Sequence, residues 1–144
     1  MGRRLTEAER TLRTAVAEAK KAAPKRRRGT ICYEDGIKFE STKERANYLI
    51  LKDLLHDNQI RNLQPNQEHP KKVSYTLYAG AFQPIGRYTP DFTFERLTEC
   101  GDWEFVVQDV KPKDRKTGKF RLTEAYNLRK KVFEACYPWK IEEV

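Results

Sequence analysis

The sequence predicts an α/β fold in which a mixed sheet carries helices on its faces. Alternating apolar residues indicate strands, and apolar residues at helical spacing indicate two helices. After a short hairpin the predicted elements follow the order α, β, β, β, α, β. Their approximate ranges are a helix over 41–57, strands over 73–82, 88–96 and 103–111, a helix over 122–135 and a strand over 139–144.

Local signals set the boundaries of these elements. Asp35-Gly36 between two strand-like ends predicts a hairpin over 30–39. Ser41 followed three residues later by Glu44 forms a capping box, which opens the first helix. Two prolines interrupt residues 58–72, so we expect that segment to be mostly loop. The second helix has Ala125, Leu128, Val132 and Cys136 on one face.

Positive charge is concentrated at the N-terminus. Residues 1–28 contain ten basic and three acidic residues, a net +7 of the chain's +8. We therefore divide the chain into a basic N-terminal arm with a helix, residues 1–29, and a folded domain, residues 30–144. Such arms commonly contact phosphate backbones, and Arg26, Arg27 and Arg28 are candidate DNA contacts. A solvated tail is the alternative.

Several classes of protein are disfavoured. No apolar run approaches the roughly 20 residues that span a bilayer, and no apolar segment typical of a secretion signal follows the first arginines. The three cysteines lack metal-ligand spacing and are expected to be reduced thiols. The sequence thus predicts a cytoplasmic protein without a membrane partner.

Strand alternation brings two carboxylates and a lysine together. Asp109 and Lys111 are two residues apart and point to the same face of their strand. If the strands over 88–96 and 103–111 pair as a hairpin, Asp91 meets Asp109. Two adjacent carboxylates recruit a hard cation such as Mg²⁺ or Mn²⁺. With Lys111 beside them they suit metal-assisted phosphodiester hydrolysis, whereas ordinary strand-end charges are the bland alternative.

The residues then resemble a known family. Pro90-Asp91 and, one hairpin later, Asp109-Val110-Lys111 resemble the PD-(D/E)XK motif of restriction-endonuclease-like nucleases, whose core has the order αβββαβ. The segments 35–44, 89–92 and 108–111 resemble a family of small phage nucleases, and more distantly phage Holliday-junction resolvases. The resemblance implies catalysis by Asp91, Asp109 and Lys111. It also implies that Glu44, on the first helix, is a third metal ligand, although capping alone could explain that residue.

Further basic residues are candidate DNA contacts. The loop over 111–121 carries six basic residues and one acid beside the predicted metal site, so we expect it to clamp the DNA backbone, unless it is only a solvated loop. Tyr88 and Tyr126 are weaker candidates for contacts with the substrate. The basic candidates in the folded domain are Arg87, Lys113, Arg115, Lys116, Lys119, Arg121 and Lys130.

Together these features predict a metal-dependent DNA endonuclease. No groove-reading motif is present, which favours recognition of DNA shape and hence of branched DNA or Holliday junctions in phage DNA metabolism, in a bacterial host cell. Symmetric cutting of a junction requires two active sites, so a homodimer is compatible with this function. The alternatives are a non-catalytic DNA-binding protein and a nuclease subunit of a larger recombination or packaging complex.

Overall fold

A computed structural model describes residues 29–67 and 72–144, together with Glu7, Ala8 and Thr11. Most of the predicted N-terminal helix and the basic residues Arg26, Arg27 and Arg28 lie outside the described residues. The described elements, in chain order, are β1 (Cys32–Glu34), β2 (Ile37–Phe39), α1 (Thr42–His56), β3 (Ile60–Pro65), β4 (Tyr75–Ala79), β5 (Gln83–Tyr88), β6 (Phe92–Leu97), β7 (Trp103–Asp109), α2 (Glu124–Cys136) and β8 (Ile141–Glu143). No helix in this part of the chain has the length and apolar character needed to cross a membrane.

The central sheet is mixed and has the order β3-β6-β7-β8. β3, β6 and β7 are antiparallel neighbours, whereas β8 runs parallel to β7 after the crossover through α2. β1 and β2 form a hairpin at Asp35 and Gly36, both of which have positive φ, as the Asp-Gly signal predicts. The α/β class and the mixed sheet are confirmed.

Each face of the sheet is covered by one helix. Phe92, Phe94 and Val106 point to one face and pack against Tyr48 and Leu51 of α1. Residues on the opposite face pack against Phe133 and Tyr126 of α2; they include Val107 and Ile141. Strand alternation therefore divides the apolar residues between two cores.

The predicted first helix is confirmed together with its cap. Ser41 has an extended backbone, and its Oγ accepts a hydrogen bond from the Glu44 N–H at 3.1 Å. This contact satisfies one of the free N–H groups at the start of α1. The cap therefore fixes Glu44 in the first turn, beside the end of the sheet where β6 begins.

Two expectations about the strands are wrong. The segment 58–72 contains β3, an edge strand of the central sheet, where we expected mostly loop. Among the described strands, β3 pairs with β6 alone and so lies at the edge of the sheet. Its exposed residues are polar, and the sequence therefore lacks the alternation of apolar residues that indicates a strand. The predicted strand over 73–82 does not join the central sheet; its described part, β4, pairs only with β5, a strand that the sequence analysis missed.

The inward face of α2 also differs from the prediction. Leu128 is 64% exposed, whereas Tyr126 and Phe133 are buried. The aromatic residues fill the space between α2, the sheet and the β4–β5 hairpin, where Phe133 packs on Tyr75 and Tyr88. Tyr126 and Phe133 thus supply the buried residues of this face, while Val132 of the predicted stripe packs against them as a partly buried residue.

Candidate active site

The strand register places Asp91 and Asp109 directly beside each other. Phe92 of β6 pairs with Gln108 of β7, so the preceding residue Asp91 falls opposite Asp109. The backbone N–H of Asp91 donates to Asp109 Oδ1 at 3.1 Å, and the N–H of Val110 donates to Asp91 Oδ2 at 2.8 Å. Each carboxylate is therefore held by the backbone of the other segment, as expected for a hairpin.

Asp109 is buried and has two further polar neighbours. Its Oδ2 accepts a hydrogen bond from the Tyr88 hydroxyl at 2.8 Å and lies 3.2 Å from Lys111 Nζ. The Lys111 ammonium in turn lies 4.1 Å from the centroid of the Tyr126 ring. The structure thus brings the predicted residues Asp91, Asp109 and Lys111 together, with two buried tyrosines supporting them.

Burial and the neighbouring carboxylate of Asp109 perturb Asp91 electrostatically. Burial raises the pKa of Asp91 to about 7, and the negative charge of Asp109 adds to this effect. The Val110 N–H and the Lys111 charge oppose the rise, while Glu44 contributes to it. Burial and the negative charge of Asp109 also raise the pKa of the Tyr88 hydroxyl, which therefore stays protonated as a donor.

Glu44 lies close enough to the pair to influence it. Its side chain is half-buried at the start of α1, and burial raises the pKa of its carboxyl group. Hydrogen bonds with the Glu40 backbone and the Ser41 hydroxyl oppose that rise, so Glu44 also serves the cap. Both interpretations of Glu44, metal ligand and capping residue, stay open.

The carboxylates fit a hard divalent cation. Within the described part of the chain, no group of three His, Cys, Asp or Glu side chains could hold a metal ion, so Glu44 does not form a three-ligand set with Asp91 and Asp109 here. Mg²⁺, however, commonly takes only one or two carboxylates and fills its other positions with water and phosphate oxygens. Two adjacent carboxylates, the buried Asp109 and the partly buried Asp91 with its pKa raised to about 7, match this demand because a cation would relieve their repulsion.

The chain matches the model of a known protein family. A family model described as a protein of unknown function, DUF1064, matches residues 25–142. The chain belongs to the DUF1064 family. Searches of curated proteins and of solved structures gave no match. The DUF1064 match spans all four candidate catalytic residues and the basic residues Arg26, Arg27 and Arg28, but not the segment before position 25.

The basic loop of this DUF1064 protein is an ordered turn beside the site. Lys113 and Phe120 form a bridge, and Asp114 Oδ1 accepts hydrogen bonds from the N–H groups of Lys116 and Thr117. Arg121 is paired with Asp114 at 3.0 Å. A concave surface here is lined by Lys113, Asp114, Arg115, Lys116 and Arg121. The loop therefore presents cations on a fixed frame, and Lys119 is exposed within it.

Two other candidate DNA contacts differ in their surroundings. Lys130 is partly buried and pairs with Glu143, so its charge is already balanced within the DUF1064 fold. Arg87 is exposed on β5, opposite Thr76 of β4. Arg87 is therefore accessible to a ligand, whereas Lys130 faces a carboxylate.

Several residues of the site were not predicted, or were predicted in a different role. Tyr88 and Tyr126 are buried and contact Asp109 and Lys111, so they support the site where we expected contacts with substrate. Glu143 pairs in register with Asp109, and its carboxylate accepts from the Tyr126 hydroxyl at 3.2 Å. Lys43 donates to the carbonyl groups of Lys111 and Val144. Of these residues, only Tyr88 and Tyr126 could be singled out from the sequence, because they lie near the motif and on apolar faces of their elements. No local pattern singles out Glu143 or Lys43.

Proposed function

We propose that this DUF1064 protein is a metal-dependent DNA endonuclease of the PD-(D/E)XK type. The observation that carries the proposal is the meeting of Asp91, Asp109 and Lys111 at one end of the β6–β7 pair. A perturbed carboxylate pair beside a cationic loop is the arrangement expected where a phosphate must be bound and hydrolysed.

The order of elements also supports this proposal. Around the sheet the chain runs α1, β3, β6, β7, α2, β8, with the β4–β5 hairpin inserted between β3 and β6. This is the αβββαβ order that the sequence resemblance implies, once the hairpin is treated as an insertion. In this order Asp91 lies directly before β6 and Asp109 ends β7, the second and third strands of the core.

Each residue of the site has a distinct role in the proposed mechanism. Asp91 and Asp109 would hold Mg²⁺ or Mn²⁺, which would supply Lewis acidity and lower the pKa of a water molecule. Glu44 is the third ligand that the sequence resemblance implies. Lys111 orients the attacking water and donates to a non-bridging phosphate oxygen. The water oxygen bonds to phosphorus and releases a proton to solvent, while the bond from phosphorus to the 3′ oxygen breaks and that oxygen takes up a proton from solvent, leaving a 5′-phosphate and a 3′-hydroxyl. Tyr88 keeps the Asp109 carboxylate in place.

Binding is assigned to the cationic surfaces. The ordered loop offers Lys113, Arg115, Lys116 and Lys119 to phosphates, and its position after Lys111 brings the backbone of the DNA to the carboxylates. Because phosphate contacts read no sequence, we propose that the enzyme selects DNA shape, with branched DNA or Holliday junctions as substrates in phage DNA metabolism. We also propose that the enzyme acts as a homodimer and that the basic N-terminal arm contacts the DNA.

A cleavage assay tests the function directly. Full-length protein is incubated with duplex, flap, single-stranded and four-way DNA, with Mg²⁺ or with a chelator. We expect Mg²⁺-dependent cutting that Asp91→Asn and Asp109→Asn each abolish, while Asp102→Asn, which removes a charge from an exposed turn, cuts normally. Binding without cutting by the wild type would favour the non-catalytic alternative. Cutting only with an added partner would favour the subunit alternative.

A further inference from the structure

The β4–β5 hairpin carries an exposed apolar tip. One side of the hairpin packs on α2 through Leu77 and Tyr88, which are buried. On the other side and at the turn, Tyr78, Phe82 and Ile85 are 38%, 85% and 54% exposed. The Phe82 ring is held edge-on to the Tyr78 ring at 6.4 Å between centroids. We call Tyr78 and Phe82 the aromatic tip.

The backbone at the aromatic tip is in an unusual conformation. Phe82 has a φ of 60°, a region that bulky L-residues rarely adopt. Its N–H donates to the Gly80 carbonyl at 2.8 Å, which closes the turn. A large apolar side chain held outward in a strained turn gains nothing in stability from burial. Such outliers are found where a function requires the side chain at that place.

The hairpin is fixed to the body of the domain at several points. The Tyr137 hydroxyl donates to the Thr76 carbonyl at 2.8 Å, and Cys136 Sγ donates to the Tyr78 carbonyl at 3.4 Å. At the other end of β5, the Tyr88 hydroxyl donates to Asp109. The hairpin is therefore held to the end of α2 through β4 and to Asp109 through Tyr88, the last residue of β5.

The composition of the hairpin indicates the chemistry of its partner. Residues 72–88 contain Lys72 and Arg87 and no acidic residue, which favours an anionic partner. Pro84 lacks an N–H group, and the register shift at Ile85 distorts the strand, so the outer edge is unsuited to pairing with another β-strand. Proteins bind exposed nucleobases by stacking aromatic side chains on them within a positively charged surface. Arg87, opposite Thr76, supplies charge at the base of the hairpin, away from Phe82.

We propose that the aromatic tip stacks on an unpaired nucleobase of the DNA that the protein cuts. This inference rests on the proposed function and adds to it a site for substrate selection. The six steps along the chain from Phe82 to Tyr88 span at most about 20 Å at roughly 3.4 Å per step. One DNA strand advances about 3.4 Å per nucleotide. Cutting is therefore expected within about six nucleotides of the unpaired base, and continuous duplex lacks the contact.

Binding in the absence of divalent metal tests the aromatic tip separately from catalysis. The probes are a flap DNA with 2-aminopurine at its unpaired junction base and a continuous duplex of equal length. We expect Phe82→Ala to weaken flap binding about tenfold, the scale of one lost stacking contact, and to abolish the quenching of 2-aminopurine. Duplex affinity should not change. Phe82→Trp should retain flap binding, and Ile85→Ala, which removes a neighbouring exposed side chain, is the matched control.

The outcomes separate this inference from the proposed function. If Phe82→Ala binds flap and duplex as the wild type does, the aromatic tip has no role in DNA binding, even if the protein cuts DNA. If Phe82→Ala leaves DNA binding intact but abolishes self-association in sedimentation or binding to anionic vesicles, the aromatic tip does not bind a nucleobase, and the proposal is wrong. Loss of flap binding and quenching in Phe82→Ala would support the inference even for a protein that cuts nothing.

Discussion

Replacing Asp91 by Asn should stabilise the metal-free protein at alkaline pH. The structure raises the pKa of Asp91 from its ordinary value of 3.8 to about 7, through burial and the charge of Asp109. A carboxyl group whose pKa is higher in the folded state than in the unfolded state stabilises the folded state. This contribution to the free energy of unfolding is complete below the unfolded-state pKa of 3.8. That contribution is lost as the pH rises through 7. Asn carries no charge, and its side-chain oxygen can still accept from the Val110 N–H.

The magnitude follows from the pKa shift. A rise of about 3 units, at about 1.4 kcal/mol per unit, corresponds to about 4 kcal/mol in the free energy of unfolding. Local relaxation and water entry reduce this value, so we expect Asp91→Asn to gain about 2–4 kcal/mol on the wild type between pH 4 and pH 8. For a chain of this length, such a gain corresponds to roughly 5–15 °C in Tm.

The assay is denaturant unfolding in a chelator at pH 4, 6 and 8, followed by circular dichroism. The quantity compared is the difference in unfolding free energy between Asp91→Asn and the wild type at each pH. Asp102→Asn, in an exposed turn, is the control and should show no growing difference. Adding Mg²⁺ at pH 8 should stabilise the wild type but not Asp91→Asn. A difference that stays constant from pH 4 to pH 8 would refute the electrostatic argument.

Three further predictions concern neighbouring parts of the protein. Glu44→Gln keeps a capping side chain, so the Tm of the variant should change by less than about 2 °C. If Glu44 is a metal ligand, the variant should lose most of its Mg²⁺-dependent cleavage. Full activity of the variant across a Mg²⁺ titration would mean that Glu44 only caps the helix. Tyr126→Leu removes the ring beside Lys111 and should lower kcat about tenfold at unchanged KM. Tyr126→Phe keeps the ring, so its kcat should lie within about threefold of the wild-type value. Equal losses of kcat in the two variants would contradict a role for the ring contact. Deleting residues 1–28 should weaken DNA binding at low salt and flatten its salt dependence, and an unchanged slope would mean that the arm does not contact DNA.

The site was largely predictable because it depends on strand alternation. Asp109 and Lys111 had to share a face, and a short turn had to bring Asp91 beside them. The capping box at Ser41 and the Asp35-Gly36 turn were equally readable, since each depends on a few adjacent residues. Local chemistry therefore determined both the hairpins and the meeting of the carboxylates.

The remaining features depend on contacts distant in sequence. β3 looked like a loop because an edge strand carries polar residues, and Asn62 within it has a φ of 53° that interrupts the alternation. β5 contains Pro84 and Gly86, which disfavour a strand. The position of Glu143 beside Asp109 follows from the parallel register of β8, which no local pattern specifies.

The two outer strands of the central sheet restrict how copies of this chain can associate. β3 carries Arg61, which pairs with Glu95, and its register shift near Asn62 breaks the regular row of backbone donors and acceptors. β8 is only three residues long and contributes Glu142 and Glu143. Short, charged or bulged strands resist edge-to-edge growth of a sheet. A symmetric dimer must therefore be built from helical or hairpin surfaces, and the folded domain is protected against open-ended assembly through its sheet.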